Sequence, residues 1–356
     1  MRETESVSSR CRIALLGFGT VGSAIARRLT APGHASPNIQ LTHVFDRRAH
    51  EKRASLAADN VTWTSSIDEV LQSGADIIVE ALGGVEPAAG WIRAALLAGK
   101  SVVTANKQAI ARHGPALLTL ASRQGRQLRF EAAVGGAMPI VRAIGEGLAG
   151  DRITRLVAIL NGTTNAVLSQ MEATGCGLDA AVREARDRGY AEADPSADLD
   201  GDDACAKLAI LCALAFGLRV DPSQIAVRSS ASIGAGDFAR ARTRGATIRQ
   251  VAFADYDHQA SLLTAWVAPV EVEAASLFAR TTGPRNAALI TGVHSGEIGI
   301  FGAGAGGDAT AVALLGDITA IAKDRAAIVP APTLTGDFRL KNSDFRLESP
   351  VLLEAV

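Results

Sequence analysis

The sequence predicts an α/β protein in two parts: a doubly wound sheet first, then an α+β domain with a mixed sheet. Three observations carry this. Short apolar runs alternate with stretches of helical period from about residue 12 to 148. A glycine-rich turn, Gly17-Phe-Gly19-Thr-Val-Gly22, separates the first run from the first helix. From about residue 149 the alternation gives way to longer strand-like runs, two of them joined by a hairpin signal. The 356 residues leave room for two or three domains, and 48% hydrophobic with 21% charged residues is an ordinary globular composition. A net charge of -1 provides no broad basic field for nucleic acid or an anionic membrane. The cysteines, Cys11, Cys176, Cys205 and Cys212, lack CxxC spacing, which argues against a zinc site or a disulfide framework. Cys205 and Cys212 share one expected helix and are read as packing residues. No run approaches the ~20 apolar residues of a membrane span. Met1 to Arg10 lacks the apolar centre of a signal peptide. A cytoplasmic protein is expected.

In chain order, residues 12–16 form the first strand, and the glycine turn then opens a helix running to Leu29. In that setting each glycine of GxGxxG has a physical role. Gly17 permits the tight turn, Gly19 lets a pyrophosphate approach the backbone, and Gly22 lets the helix pack on the strand. The helix N-terminus offers its free N–H groups to the phosphates. The first part is therefore Rossmann-like. A second strand, 39–45, ends in Asp46-Arg47-Arg48. A carboxylate there suits the ribose 2'-hydroxyl of NAD and an arginine the 2'-phosphate of NADP, so the choice stays open. A short helix at 67–71 and a strand at 76–80 follow, and the loop Ala81-Leu82-Gly83-Gly84 lies where open α/β sheets bind ligands. A helix over 88–98 and a strand over 101–104 lead to Ala105-Asn106-Lys107, with Lys107 expected to point into the cofactor crevice. A helix near 114–123 and a strand at 127–131 complete this part, ending in Glu131-Ala-Ala-Val134-Gly135-Gly136-Ala-Met138-Pro139.

The second part opens with a strand over 152–160, closed by Asn161-Gly-Thr163-Thr-Asn165. Helices to about Met171 and over 178–188 follow. Then comes the densest charge in the chain: Glu192, Asp194, Asp198, Asp200, Asp202 and Asp203, followed by Lys207 and an apolar helix from Leu208 to Phe216. Charge at the mouth of a buried helix needs partners, so this stretch is either an active site or a solvated turn. Strands are expected at 246–254, 261–270, 286–293 and 297–301, the last two joined at His294-Ser-Gly-Glu297. Gly302-Ala-Gly304-Ala-Gly306-Gly307 resembles a second phosphate loop and opens a helix over 310–322, read as a return of the chain to the first domain. Beyond Asp324 the tail has no clear period and reads as an arm or a partly disordered segment. The expected domains are 1–148 completed by 303–356, and 149–302.

These pieces together resemble homoserine dehydrogenase over about residues 12–322. The resemblance rests on Gly17–Gly22, Thr104-Ala-Asn-Lys107, Glu131-Ala-Ala-Val-Gly-Gly136, Leu160-Asn-Gly-Thr-Thr-Asn165, Gly189-Tyr-Ala-Glu-Ala-Asp-Pro195, Asp200-Gly-Asp-Asp-Ala204 with Lys207, and the Gly302–Gly306 loop. It implies reversible NAD(P)-dependent interconversion of L-homoserine and L-aspartate 4-semialdehyde, in the biosynthesis of threonine, methionine and isoleucine. It also implies a nucleotide-binding domain, a catalytic and dimerisation domain, and a homodimer built through the second domain's sheet. Residue by residue, Lys207 matches the proton donor and acceptor, Asp203 its helical partner, and Lys107 a second active-site lysine. Glu192 and Asp198, with Thr163 and Tyr190, match substrate-holding residues. The cofactor set is Gly17, Phe18, Gly19, Thr20, Val21, Gly22, Asp46, Arg47, Leu82, Gly83, Thr104, Lys107, Gly302 and Gly304. A sodium ion between the domains would be held by Glu131, Val134, Gly136 and Met138. Only about thirty residues follow the last expected helix, too few for the amino-acid-sensing domain of many members. The loop after Gly306 also lacks their proline.

The chemistry asks for a group that handles the hydroxyl proton while hydride moves. Lys207 follows Asp203 by one helical turn on an inward face. A partner carboxylate favours the acid role, burial or a second cation such as Lys107 the base role, and both stay open. Glu192 and Asp198 would give the substrate ammonium two anionic partners, leaving Asp194 and Asp202 to capping or solvent. A reductase of another amino-acid semialdehyde would keep the first half but not the Asn161–Asn165 and Tyr190–Pro195 segments. A non-catalytic nucleotide-binding sensor would be expected to lack Lys207.

Overall fold

A computed structural model describes residues 10–31, 38–324, 327, 329, 332–334 and 337–341. They fall into two compact units, Met1–Ala132 with Thr310–Ala331, and Ala133–Ala309 with Pro332–Val356. In the first unit, β1 (Cys11–Leu16), α1 (Thr20–Thr30), β2 (Ile39–Phe45), α2 (Ala49–Lys52), β3 (Thr62–Thr64), α3 (Ile67–Gln72) and β4 (Ile77–Glu80) follow in order. They continue into α4 (Ala88–Leu97), β5 (Ser101–Thr104), α5 (Lys107–Arg123) and β6 (Leu128–Arg129). The six strands pair in the order β3-β2-β1-β4-β5-β6, every pair parallel. Strand order reverses between β1 and β4, which places the binding crevice of such a sheet at their carboxyl ends. All four residues of β4 and of β5 are buried, as a sheet covered on both faces requires.

The helix expected near 114–123 is longer, because Asn106 caps it: its side chain accepts from Ala109 N at 3.0 Å and starts α5 at Lys107. The Gly114-Pro115 pair inside the helix had hidden its first turns. β6 is shorter than expected, since Glu131–Ala133 turn into a 3-10 helix. β3 has only three residues, too few for any period to show.

The second unit contains α6 (Ile140–Arg142), β7 (Ile153–Ile159), α7 (Gly162–Thr174), α8 (Leu178–Asp187), α9 (Ser196–Leu199) and α10 (Asp202–Phe216). It goes on through β8 (Ala226–Val227), α11 (Ala235–Thr243), β9 (Ala246–Asp257), β10 (Leu262–Glu273), α12 (Leu277–Arg280), β11 (Arg285–Gly292) and β12 (Gly296–Ala303). The last described elements are α13 (Gly307–Lys323) and β13 (Arg339–Leu340). The sheet runs β12-β11-β7-β9-β10-β13, with β8 also on β10. Its long pairs are antiparallel, while β8 and β13 run parallel to β10, so the sheet is mixed as expected. Arg249 on β9, fully buried, pairs with Glu172 on α7 at 2.8 Å and ties that helix to the sheet. α10 is buried over most of its length and ends at Gly217, whose φ of +68° suits a residue without a Cβ.

α13 supplies Ala311, Leu314, Ile318 and Ile321 to the core that holds Ile13, Leu15, Ile25 and Val44. From Thr310 on, α13 groups with the first unit, and residues 133–148 and 303–309 with the second. The described end of the tail differs from the expected return: Arg339 and Leu340 pair with Leu262 and Leu263 of β10. Among the described residues no helix is long and apolar enough to cross a membrane.

Candidate active site

In the first unit the polar groups gather at the carboxyl ends of the strands. Gly17 takes φ +96°, and a Cβ there would lie 2.8 Å from the Ala81 carbonyl. A Cβ on Gly22 would lie 2.0 Å from the Gly17 carbonyl, so only glycine lets α1 approach the turn this closely. A Cβ on Gly19 would meet nothing within 4 Å, and as N-cap of α1 it makes no side-chain cap. Phe18, Thr20 and Val21 complete this turn; the N–H of Phe18 is taken by Asp46, and those at the start of α1 form a cradle that fits a pyrophosphate.

Asp46, at the end of β2, is bound inward. Its Oδ2 accepts from Phe18 N at 3.0 Å and Lys52 Nζ at 2.6 Å, and its Oδ1 from Arg48 N at 2.9 Å. Burial alone would raise its pKa, but the Lys52 ammonium and the two N–H groups hold it below the usual carboxylate value. Lys52 also donates to the Phe18 carbonyl at 3.0 Å, so it links β2 to the glycine turn. Sequence reasoning passed over it. Arg47 is exposed beside them.

A second clasp surrounds Glu80, fully buried at the end of β4. Its Oε1 accepts from Leu82 N at 2.8 Å, and its Oε2 from the Thr104 hydroxyl. Thr104 Oγ1 accepts in turn from Asn106 N at 2.9 Å, and Asn106 Nδ2 donates to the Gly84 carbonyl at 2.7 Å. Thr104 is thus a strut of the loop rather than an open group. Leu82 and Gly83 stand exposed above it, and Lys107 opens α5, half-buried.

The second unit holds the catalytic candidates. Lys207 Nζ lies 2.9 Å from Asp203 Oδ2, one turn back on α10, and donates to the Leu160 carbonyl at 2.7 Å. Both side chains are buried. Asn161 Nδ2 donates to Asp203 Oδ2 at 2.9 Å and to Asp198 Oδ1 at 2.7 Å, which brings Asp198 into the same network. Gln250 Nε2 donates to the Asp198 and Leu199 carbonyls at 3.3 and 3.4 Å and steadies α9. Thr163 Oγ1 donates to the Tyr190 carbonyl at 2.8 Å, which fastens the Tyr190 loop to α7. Glu192 is exposed, its carbonyl accepting from Arg186 Nε at 3.2 Å. Asp194 Oδ1 accepts from Ser196 N at 3.0 Å at the start of α9. Asn161 and Gln250 were missed as individual residues; Asn161 stood only inside a motif.

The glycines at 302 and 304 have local explanations. Gly302 lies on β12 against Met138, and a Cβ on Gly304 would fall 2.2 Å from Asn286 Oδ1. Gly136 takes φ +65° against the Ala303 and Gly304 carbonyls, and Ala137 N donates to the Ala303 carbonyl at 2.9 Å. Val134 and Met138 are buried on the same segment of the second unit. Glu131 belongs to the first unit, where its N–H donates to Asp317 Oδ2 at 3.0 Å. Backbone carbonyls such as those of Val134, Gly136 and Met138 are hard oxygen donors of the kind a cation such as sodium takes.

A parallel sheet whose switch point carries an open glycine cradle, in a chain with a buried lysine–carboxylate pair, defines an NAD(P)-dependent oxidoreductase. Residues 17–131 match the family model of the homoserine dehydrogenase NAD-binding domain, and residues 139–319 that of homoserine dehydrogenase itself. The chain belongs to the homoserine dehydrogenase family. It is 38% identical over 312 residues to the homoserine dehydrogenase of Synechocystis, covering 86% of this chain and 72% of that one. With the Corynebacterium glutamicum enzyme the identity is 35% over 341 residues, covering 94% and 76%. The solved homoserine dehydrogenase of Thiobacillus denitrificans superposes with a TM-score of 0.82 at 31% identity, covering 94% of this chain and 80% of that one. A hyperthermophilic archaeal homoserine dehydrogenase in complex with NADPH gives 0.74 at 27%, covering 90% and 99%.

Proposed function

We propose that the chain interconverts L-homoserine and L-aspartate 4-semialdehyde with Lys207 as the proton donor and acceptor. The observation that supports this most is the hold on its Nζ, between Asp203 Oδ2 at 2.9 Å and the Leu160 carbonyl at 2.7 Å. An ammonium has three N–H groups and an amine two with a lone pair. With two directions committed, the remaining one carries an N–H in the acid form and the lone pair in the base form. The same direction can then protonate the carbonyl oxygen of the semialdehyde or take the proton of the homoserine hydroxyl. NAD(P), when bound, supplies or accepts hydride at the carbinol carbon.

The other roles follow the same reading. Asp198 and Glu192 hold the substrate ammonium, with Thr163 and Tyr190 shaping that side, and Lys107 is a second active-site lysine. The first unit binds the dinucleotide through Gly17–Gly22, Asp46, Arg47, Leu82 and Gly83, with Thr104 bracing the loop. The cofactor is NADP or NAD, with Asp46 and Arg47 side by side at the end of β2. The second unit's Val134, Gly136 and Met138 would offer their carbonyls to a sodium ion. A homodimer forms through the second unit's sheet, whose edge strand β12 exposes Phe301 at 65%.

Nicotinamide absorbance followed with homoserine, on NAD and NADP in parallel, tests the reading. A rate on at least one cofactor is expected, and no rate on either would overturn it.

A further inference from the structure

Asn161 lies between the lysine pair and the substrate-side carboxylate, and its amide makes three hydrogen bonds. It is 4% exposed. Its Oδ1 accepts from Thr164 N at 2.7 Å as the N-cap of α7. One Nδ2 hydrogen goes to Asp198 Oδ1 at 2.7 Å, the other to Asp203 Oδ2 at 2.9 Å. Asp203 Oδ2 is the same oxygen that receives Lys207 Nζ. The amide cannot flip without losing all of these, because a donor faces one end and two acceptors the other. Without it, the Asp198 and Asp203 carboxylates would lose the donor group they share.

We propose that Asn161 is a positioning residue: it fixes the Asp203 carboxylate against Lys207 and, through the same NH2 group, sets Asp198 at a constant place relative to that pair. This rests on the reading of Lys207 as the proton donor and acceptor. A group placed about 1 Å off loses on the order of a hundredfold in rate, which sets the size of the expected effect. The bland alternative is that Asn161 only caps a helix. Serine caps about as well as asparagine, so Asn161→Ser keeps the cap and deletes both donors.

The test compares steady-state kinetics of wild type, Asn161→Ser, Asn161→Asp and Lys207→Ala, with thermal melting as the fold check. Asn161→Ser is expected to melt like wild type, keep its cofactor KM and raise its homoserine KM. Its kcat should fall ten- to a hundredfold, with a larger solvent deuterium isotope effect as proton transfer becomes limiting. Wild-type kcat and isotope effect in a folded Asn161→Ser would overturn the proposal and leave Asn161 a cap. Should the serine variant not fold, Asn161→Asp, of equal size and also a cap, is read instead. It should lose at least tenfold in kcat, and a wild-type kcat would overturn the proposal equally. Near-normal turnover in Lys207→Ala would sink the underlying reading; an inactive Lys207→Ala beside a normal Asn161→Ser would sink this inference alone.

Discussion

Lys207 Nζ and Asp203 Oδ2 lie 2.9 Å apart within one turn of α10, a helix whose later turns are buried among apolar side chains. Breaking a buried pair by deleting one partner strands the other charge, at about 3–5 kcal/mol. Lys207→Ala is expected to cut turnover by about 10²–10⁴, the usual worth of a positioned acid–base group, with dinucleotide binding unchanged. Asp203→Ala should lower both turnover and the denaturation midpoint. Unfolding curves with dinucleotide fluorescence titration separate the two effects.

The Glu80 clasp makes a different forecast. Glu80→Ala would leave Leu82 N and the Thr104 hydroxyl without their buried acceptor, about 1–3 kcal/mol for each group so stranded. Stability should fall, and dinucleotide affinity with it, while Glu80→Gln retains one acceptor and loses less. Urea unfolding and titration with NADPH measure both.

Asp46 should show itself in the acid limb of stability. Burial pushes its pKa up, yet Lys52 and the N–H groups of Arg48 and Phe18 outweigh that and bring it below 3.8. A depressed carboxyl stabilises the fold above its unfolded pKa, and the contribution fades as pH falls through the lower folded value. Asp46→Asn should therefore be less stable than wild type at pH 7, with the gap closing in strong acid. Melting temperatures across that range give the comparison.

Thiol reactivity should sort the cysteines. Burial, and for Cys205 also the nearby Asp202 and Asp203 charges, pushes the Cys205 and Cys212 thiols up to about 12, so neither offers a thiolate near neutrality. Cys11 is buried and Cys176 half-buried. An Ellman titration of the native protein should modify Cys176 first, with the other three reacting only on unfolding.

Features local in sequence were legible: the glycine turn, and the Asp203–Lys207 pair four residues apart on one helix. The glycine turn needs only a strand before it and a helix after it, both visible as apolar periods. The partners that tertiary structure assembles were not. Asn161 meets Asp198 and Asp203 across 37 and 42 residues, and Glu80 meets Thr104 across 24. Lys52 carries no signal in the sequence for its bonds to Asp46 and the Phe18 carbonyl. The tail strand β13 has two residues, and nothing in them marks a pairing with β10. Glu192, singled out with Asp198, shares no bond with the Asn161 network among the described residues.

The first unit cannot be completed as it emerges from the ribosome, because the helix that covers part of its core, α13, is made only after the whole of Ala133–Ala309. Until then the apolar groups that Leu314 and Ile318 will touch remain uncovered, a hazard for aggregation. The second unit can shorten that wait, since its entering turn and its leaving strand are joined where Ala137 N donates to the Ala303 carbonyl. Once it folds, α13 is delivered close to the residue where the chain left, and a loop closure over an open coil becomes one over a compact insert. An amino-terminal fragment ending at Ala132 would therefore be a poor stand-in for the dinucleotide-binding unit; a fusion joining it to Thr310–Lys323 through a short flexible linker would be the piece to express.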